Sequence, residues 1–413
     1  MQRWLMVGLV VAAGCGGAGA AVDAPVLIDS PAGPGAGEPN LFAAGDGTVY
    51  MSWLEPADSS GEAGSTRHGD FALRFSVLAP AGTWSDVRTV TRGSDLFVNW
   101  ADFPSIVRTA GGTLVAHWLQ RTGGNTYAYA VRTATSRDGG ASWSEPGTPH
   151  GDDTPTEHGF VSLLPRDDGS TEIFWLDGRN YAPGVDAEYA NEMTLRHAVI
   201  AADGGTGVET RLDARVCDCC QTGAAHTASG AVVVYRDRSD DEVRDIHIIR
   251  RTGSVWSEPA AVHEDGWKIA ACPVNGPSVS AHEDRLAVAW FTAARDTPRV
   301  NIVFSQDGGR TFGTATRVDG GSPEGRVDVE LLNDGSALVT WIERTSGGAE
   351  IRLRTVAPDG RMGPAVTAAT ASADRAAGFP RVAVSGGFAV LAWTEPGEPG
   401  RVRVARARVD PAD

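Results

Sequence analysis

The 413-residue chain predicts an all-β fold: a single β-propeller of seven four-stranded antiparallel blades, closed by a strand from its N-terminal region. Three observations predict it. A strand–turn–strand unit recurs seven times, apolar residues alternate with a period of two inside each copy, and no stretch of useful length carries helical periodicity.

The copies span 39–53, 104–118, 161–175, 222–235, 277–290, 327–341 and 380–393. They end on Trp53, Trp118, Trp175, Tyr235, Trp290, Trp341 and Trp393, at spacings of 51 to 65 residues. Each reads as a β-hairpin, because alternation has the period of a strand and Asp-Gly or Gly-Gly supplies the positive φ of a tight turn. A third strand follows several copies, as in 128–136 and 300–306, and then a turn and a short fourth segment. Four strands at this spacing are the pattern of propeller blades, and ring closure removes the sheet edges that so repetitive a chain would expose. The last copy has only three strands, ending at 402–409, so the segment 24–29 (APVLID) is expected to supply its outer strand. A six-bladed ring is the rival count.

Composition excludes other classes. With 42% hydrophobic and 21% charged residues, the chain is neither disordered nor fibrous, and one propeller accounts for its length without a second domain. The formal charge of −16 disfavours nucleic acid and anionic membrane surfaces as partners. The chain is expected to be monomeric.

The N-terminus reads as an export signal. Arg3 precedes an apolar run from Trp4 to Ala13, then small residues and Cys15. Ala12-Ala13-Gly14-Cys15 resembles the lipobox of bacterial lipoproteins, which implies lipidation at Cys15. The expected organisation is a signal peptide over 1–14, a lipid-anchored tether over 15–24 and the propeller over 25–413, in an extracytoplasmic compartment, with membrane contact only through the anchor.

Two turns, 136–143 (SRDGGASW) and 305–312 (SQDGGRTF), fit S-x-D-x-G-x-[ST]-[WF], with weaker relics at 81–84 and 253–256. This pattern resembles the Asp-box, also called the BNR repeat, of sialidase-like propellers. A sialidase of this type implies three arginines for a substrate carboxylate, a tyrosine nucleophile activated by a glutamate, and an aspartate as acid/base. The chain departs from that set. Glu38-Pro39-Asn40-Leu41 stands where the first arginine belongs, no arginine lies between the signal and Arg67, and the last tyrosine is Tyr235 rather than one in a late blade. The resemblance therefore implies a fold, and activity has to be argued from the site.

In a propeller, the segments joining one blade's outer strand to the next blade's inner strand converge on one face. Here they carry Asn99-Trp100-Ala101-Asp102, then 150–158 (HGDDTPTEH), then Cys217-Asp218-Cys219-Cys220, then 267–273 (WKIAACP) with Cys272. All four cysteines beyond Cys15 and two of the nine histidines thus fall in three successive connections. Two readings stay open. In an exported protein four cysteines suggest two disulfides, although Cys219 and Cys220 would point to opposite faces of an extended strand. Thiolate with imidazole equally suits copper(I) or zinc, with Cys217, Cys219, Cys220, Cys272, His150 and His158 as ligands and Asp102, Asp152 or Glu157 in support.

Trp100, Asp102, Trp267 and Arg326 are candidate ligand-binding residues, and Asp102, Asp152 and Glu157 are the candidate catalytic carboxylates. Arg236, Asp237, Arg238 and Asp240-Asp241 read as a solvated turn, and His117, His197 and His247 as structural histidines. Three functions follow as expectations: a propeller binding a metal ion or small ligand such as a glycan, a glycoside-acting enzyme with an altered catalytic set, and a disulfide-stapled interaction scaffold.

Overall fold

The computed structural model describes residues 21–57, 69–184 and 191–410, together with the backbone of 66–67. Cys15 and the expected signal segment 1–14 lie outside the described residues.

Seven antiparallel blades form one ring. Their innermost strands are Gly37–Ala43, Ser105–Arg108, His158–Pro165, Gly223–Thr227, Ser278–His282, Pro323–Leu331 and Arg381–Ser385. Each contacts the innermost strands of both neighbours, so the ring closes with seven members. Blade two has three full strands, and its fourth position is held by Gly147, which exchanges hydrogen bonds of 2.9 and 2.8 Å with Thr133. Helix among the described residues is confined to three short 3₁₀ turns, and no helix is long and apolar enough to cross a membrane.

Closure follows the expected route. Val26–Ile28 pairs antiparallel with the last strand, Arg401–Asp410, in the register Val26↔Arg406, Leu27↔Ala405 and Ile28↔Val404. Pairing reaches further back, because Ala21–Val22 also joins this strand opposite Val409 and Asp410. The end of the segment read as a tether is therefore part of blade seven, and Val22 packs against Leu332 and Ile351 of blade six.

The second strand of each blade has sheet neighbours on both sides and other blades against both faces. Thr171–Asp177 is buried along its whole length, and the seven closing aromatics are each at most 3% exposed. Removing one such indole would cost about 3–5 kcal/mol in lost transfer energy and cavity formation. The buried indole N–H needs an acceptor, and a carboxylate two residues on supplies it: Trp53 to Glu55 at 2.7 Å, Trp175 to Asp177 at 2.8 Å and Trp341 to Glu343 at 2.6 Å.

The two S-x-D-G-G turns share one hydrogen-bond pattern. Ser136 Oγ accepts from Gly140 N–H at 2.8 Å and Asp138 accepts from Ser142 N–H at 2.9 Å; Ser305 and Asp307 repeat this with Gly309 and Thr311, both at 2.9 Å. Gly140 and Gly309 hold φ of 89° and 79°, conformations that glycine adopts without steric cost.

Bulges at the start of inner strands shape the mouth of the ring. The register shifts between Gly37 and Asn40, Gly159 and Ser162, and Gly325 and Asp328, with Glu38, Phe160 and Arg326 at φ near 53°. A bulge re-aims side chains, and here it turns the chain from the connecting segments into the channel wall.

Candidate functional site

Two concavities lie along the ring axis. A polar channel of about 180 Å³ is walled by the inner strands. A larger pocket of about 820 Å³ opens beyond it and shares Ala101, Asp102 and Phe160 with the channel. Its walls come from the connecting segments and adjacent hairpin loops, so the larger pocket lies on the face where those connections converge.

Cys219 and Cys272 line the larger pocket, and Cys217 and Cys220 are buried beside Cys219. Thr210–Val216 ends blade three, and the chain then turns sharply over 217–220. An extended strand would have sent Cys219 and Cys220 to opposite faces; the turn instead gathers the sulfurs. Cys217 Sγ lies 3.3 Å from Cys220 Sγ and 3.9 Å from Cys219 Sγ, and Cys219 is in hydrogen-bonding contact with Cys272 from the blade-four to blade-five connection. Neither separation is that of a disulfide, about 2.05 Å, and all four are free thiols. Cys217 and Cys220 are buried, Cys219 is half-buried, and Cys272 is exposed at the pocket wall. Arg244 Nη1 donates to Cys217 Sγ at 3.3 Å. Hydrogen bonds from Cys219 and Cys220, with the nearby Arg236 guanidinium, hold the Cys217 thiol well below its ordinary range against the opposing effect of burial.

His150 and His158 are not part of this cluster. They stack on each other with centroids 4.1 Å apart and planes 16° apart, and both rings approach Asp152 Oδ1 at 3.3 Å. In-plane lone pairs of two nearly parallel rings do not converge on one ion without a ring rotation. Arg179 Nη2 already lies 3.1 Å from the same oxygen and 2.7 Å from Asp177 Oδ2. Burial disfavours the charge on His158, but Asp152 and Asp177 outweigh it and raise the imidazole above its ordinary range. Burial also raises the Asp152 carboxyl, and hydrogen bonds from His150, His158 and Thr154 overcome that and keep it ionised. This is an ion network bracing blade three, and Asp152 has no proton to exchange near neutral pH.

Asp102 and Glu157 both face the pocket. Asp102 Oδ2 accepts from Phe160 N–H at 2.8 Å, an approach possible because residue 159 is glycine: a Cβ there would stand 2.1 Å from that oxygen. Glu157 Oε1 accepts from the Tyr129 hydroxyl at 2.5 Å. Burial raises Asp102 to about 8, and Glu157 adds to the shift. Burial likewise pushes Glu157 up to about 7.

A pH dependence follows. The folded Asp102 holds its proton up to about 8, whereas an unfolded aspartate ionises near 3.9. Between those values the folded state binds more protons, so this group's contribution falls as pH rises. Asp102→Asn is expected to flatten the stability profile between pH 5 and 8 and to exceed the wild type at pH 8 by about 1–3 kcal/mol. Urea unfolding at the two pH values measures this, and an unchanged slope would refute burial as the cause.

Trp100 lines the pocket, stacked on Phe379 with centroids 5.9 Å apart and with Arg326 over its ring at 4.9 Å. Arg326 itself is turned away, donating to the carbonyls of Asp374 and Gly378 at 3.0 and 3.1 Å, and burial lowers it to about 10. Trp267 is buried against Phe291 in the blade-five core and does not reach the pocket. The expected solvated turn at Arg236 is corrected: Arg236 is 2% exposed and donates to the carbonyls of Asn275, Arg244 and Phe291. A guanidinium with five donors can satisfy three converging carbonyls, which the polar sequence around it did not reveal. His117 and His197 are structural as expected, bonded to Ser105 at 2.7 Å and Glu172 at 2.9 Å. Tyr129, Tyr181 and Asp218, also at the pocket, were not singled out in the sequence. Their only sequence signal is position within the connections and the adjacent loops.

No family model and no curated protein matches the chain. Among solved structures, a protein of unknown function from Dyadobacter fermentans is 13% identical over 95% of this chain and 99% of its own, with a TM-score of 0.55. The α-L-arabinofuranosidase of Fusarium graminearum in complex with arabinobiose is 12% identical over 94% and 98%, with a TM-score of 0.50. The likeness is one of fold. The intramolecular trans-sialidase of Ruminococcus gnavus, 12% identical over 75% and 94%, follows at a TM-score of 0.47.

Proposed function

We propose that this protein is an exported, lipid-anchored propeller that binds a soft or borderline metal ion, copper(I) or zinc, through Cys217, Cys219, Cys220 and Cys272 in the wall of a ligand pocket. The observation that carries the reading is the gathering of three free thiols, Cys217, Cys219 and Cys220, with sulfur separations of 3.3 and 3.9 Å, and the contact of Cys219 with Cys272 from a second connection. Tetrahedral bonds of about 2.3 Å to a metal put neighbouring sulfurs roughly 3.8 Å apart, so the cluster needs little adjustment to close on an ion. Arg244 and Arg236 would offset the charge of the thiolates. With Cys272 exposed, the ion would be reachable from the pocket.

The test is elemental analysis with thiol counting on protein purified from an oxidising compartment. Close to one equivalent of copper or zinc, with thiols that react only after unfolding and chelation, is the expected result. Absence of metal after reconstitution, with no free thiols, would return the cluster to two disulfides and the scaffold reading. A second reading, glycoside hydrolysis, is favoured by two proton-holding carboxyls, Asp102 and Glu157, in one aromatic-walled pocket of a fold also seen in an arabinofuranosidase. Turnover of a fluorogenic glycoside panel would establish it.

A further inference from the structure

Buried carboxylates in this protein are, as a rule, matched. Asp177 meets Arg179 at 2.7 Å, Glu172 meets Arg251 at 2.7 Å, and Asp319 meets Arg317 at 2.7 Å. Those without a guanidinium take several N–H donors: Asp245 accepts from Gly266 and Trp267, and Glu343 from Gly320, Ser322 and Trp341. Asp102 and Glu157 have neither. Among the described residues, each accepts one hydrogen bond and neither forms an ion pair. Asp102 is 3% exposed, and its second oxygen is left to the pocket. Glu330 shares the condition but faces the narrow channel, with Ser280 as its donor.

Leaving two carboxyls without a counter-charge in a low-dielectric wall is costly unless protons or a ligand supply the positive charge. Protons do so in the free protein. The pocket is large enough for a small molecule, and its lining includes Tyr127, Tyr129 and Tyr181, aromatic side chains of a kind whose π faces attract cations. Among the described residues, the one basic side chain in its lining is the exposed Arg375.

We propose that the pocket takes a small organic cation, an amine- or ammonium-bearing molecule whose charge replaces the missing partner of Asp102 and Glu157 while its apolar body lies against the aromatic walls. On binding, one of the two carboxyls ionises and its proton passes to solvent, so that the single positive charge of the ligand is balanced by one carboxylate. The inference does not depend on the thiolate metal site: it concerns other residues of the pocket and stands if no metal is retained.

The experiment uses the mature protein, both metal-free with thiols reduced and after metal reconstitution, and two charge series: choline against its neutral isostere 3,3-dimethylbutan-1-ol, and glucosamine against glucose and glucuronate. Calorimetry in two buffers of different ionisation enthalpy reads affinity and proton release together. The cationic member of at least one series is expected to bind about tenfold or more tighter than its neutral counterpart, with proton release. Asp102→Asn and Glu157→Gln are each expected to weaken that binding about tenfold, and both keep an acceptor for their present donors, so melting curves can confirm that they fold. Arg375→Ala is expected not to weaken it. Equal binding of the neutral isostere, tighter binding of glucuronate, saturation by calcium alone, or no binding by any member would overturn the proposal.

Discussion

Cys217→Ser is expected to abolish metal retention, lowering the content from about one equivalent to less than a tenth, and to erase the difference in Tm between metal-loaded and metal-free protein. Cys217 is the hub of the cluster: it contacts Cys219 and Cys220 and receives the Arg244 guanidinium. A serine hydroxyl is a poor ligand for copper(I) or zinc, and it also leaves Arg244 beside a neutral oxygen. Binding energy at such a site adds directly to folding stability, so metal loss and loss of thermal stability should coincide. Cys272→Ser makes the informative contrast. Its thiol is exposed and comes from a separate connection, so this change is expected to weaken metal about 10–100-fold while the metal-free protein melts as the wild type does. If the cysteines were instead bridged, both variants would cost about 2–5 kcal/mol with no metal in either protein. Chelator competition with parallel melting curves separates these outcomes.

The second large effect is expected at Arg236→Met. The side chain lies flat over Trp267 at 4.8 Å and donates to Asn275 O at 3.0 and 2.7 Å, Arg244 O at 2.6 Å and Phe291 O at 2.7 Å. Methionine fills part of the volume but leaves three buried carbonyls without their donor, a loss of about 3–5 kcal/mol. The same bonds tie the end of the Cys272 connection, at Asn275, to the loop carrying Arg244, just ahead of the strand Ile246–Thr252, so metal affinity should fall with stability. Arg238→Met is the control: Arg238 makes a partly exposed pair with Glu242 at 2.7 Å, and its loss is expected to cost less than about 1 kcal/mol. Urea unfolding at fixed free metal reads both variants, and equal effects would show that the buried carbonyl contacts carry no special weight.

Much of the architecture was legible in the residues because it is local. Alternation over 161–175 and 327–341 specifies strands, the Gly and Asp-Gly turns specify hairpins, and the missing outer strand of the last copy predicts the pairing of Val26–Ile28 with Arg401–Asp410. The face bearing the pocket follows from the order of connections. The buried partner of each indole was also written locally, as Trp-x-Asp or Trp-x-Glu at Trp53, Trp175 and Trp341, though it went unread.

What the residues did not disclose is which side chains meet. The sequence groups His150 and His158 with the four cysteines as one ligand set, yet the chain turns at 217–220 to gather sulfurs alone and His158 is drawn to Asp152 and Asp177. The polar surroundings of Arg236 suggested solvent, yet three carbonyls from separate segments converge on it. Tyr129, at the start of the blade-two strand Tyr129–Ser136, and Glu157, in the connection to blade three, become a hydrogen-bonded pair only when blades two and three pack. By itself the sequence determined strands, turns, ring and closing strand, since periodicity and turn chemistry act between near neighbours. The tertiary structure alone decided the thiol cluster, the histidine ion network and the unmatched carboxyls, because ion pairing and ligand convergence depend on distances of a few ångströms between segments that are far apart along the chain.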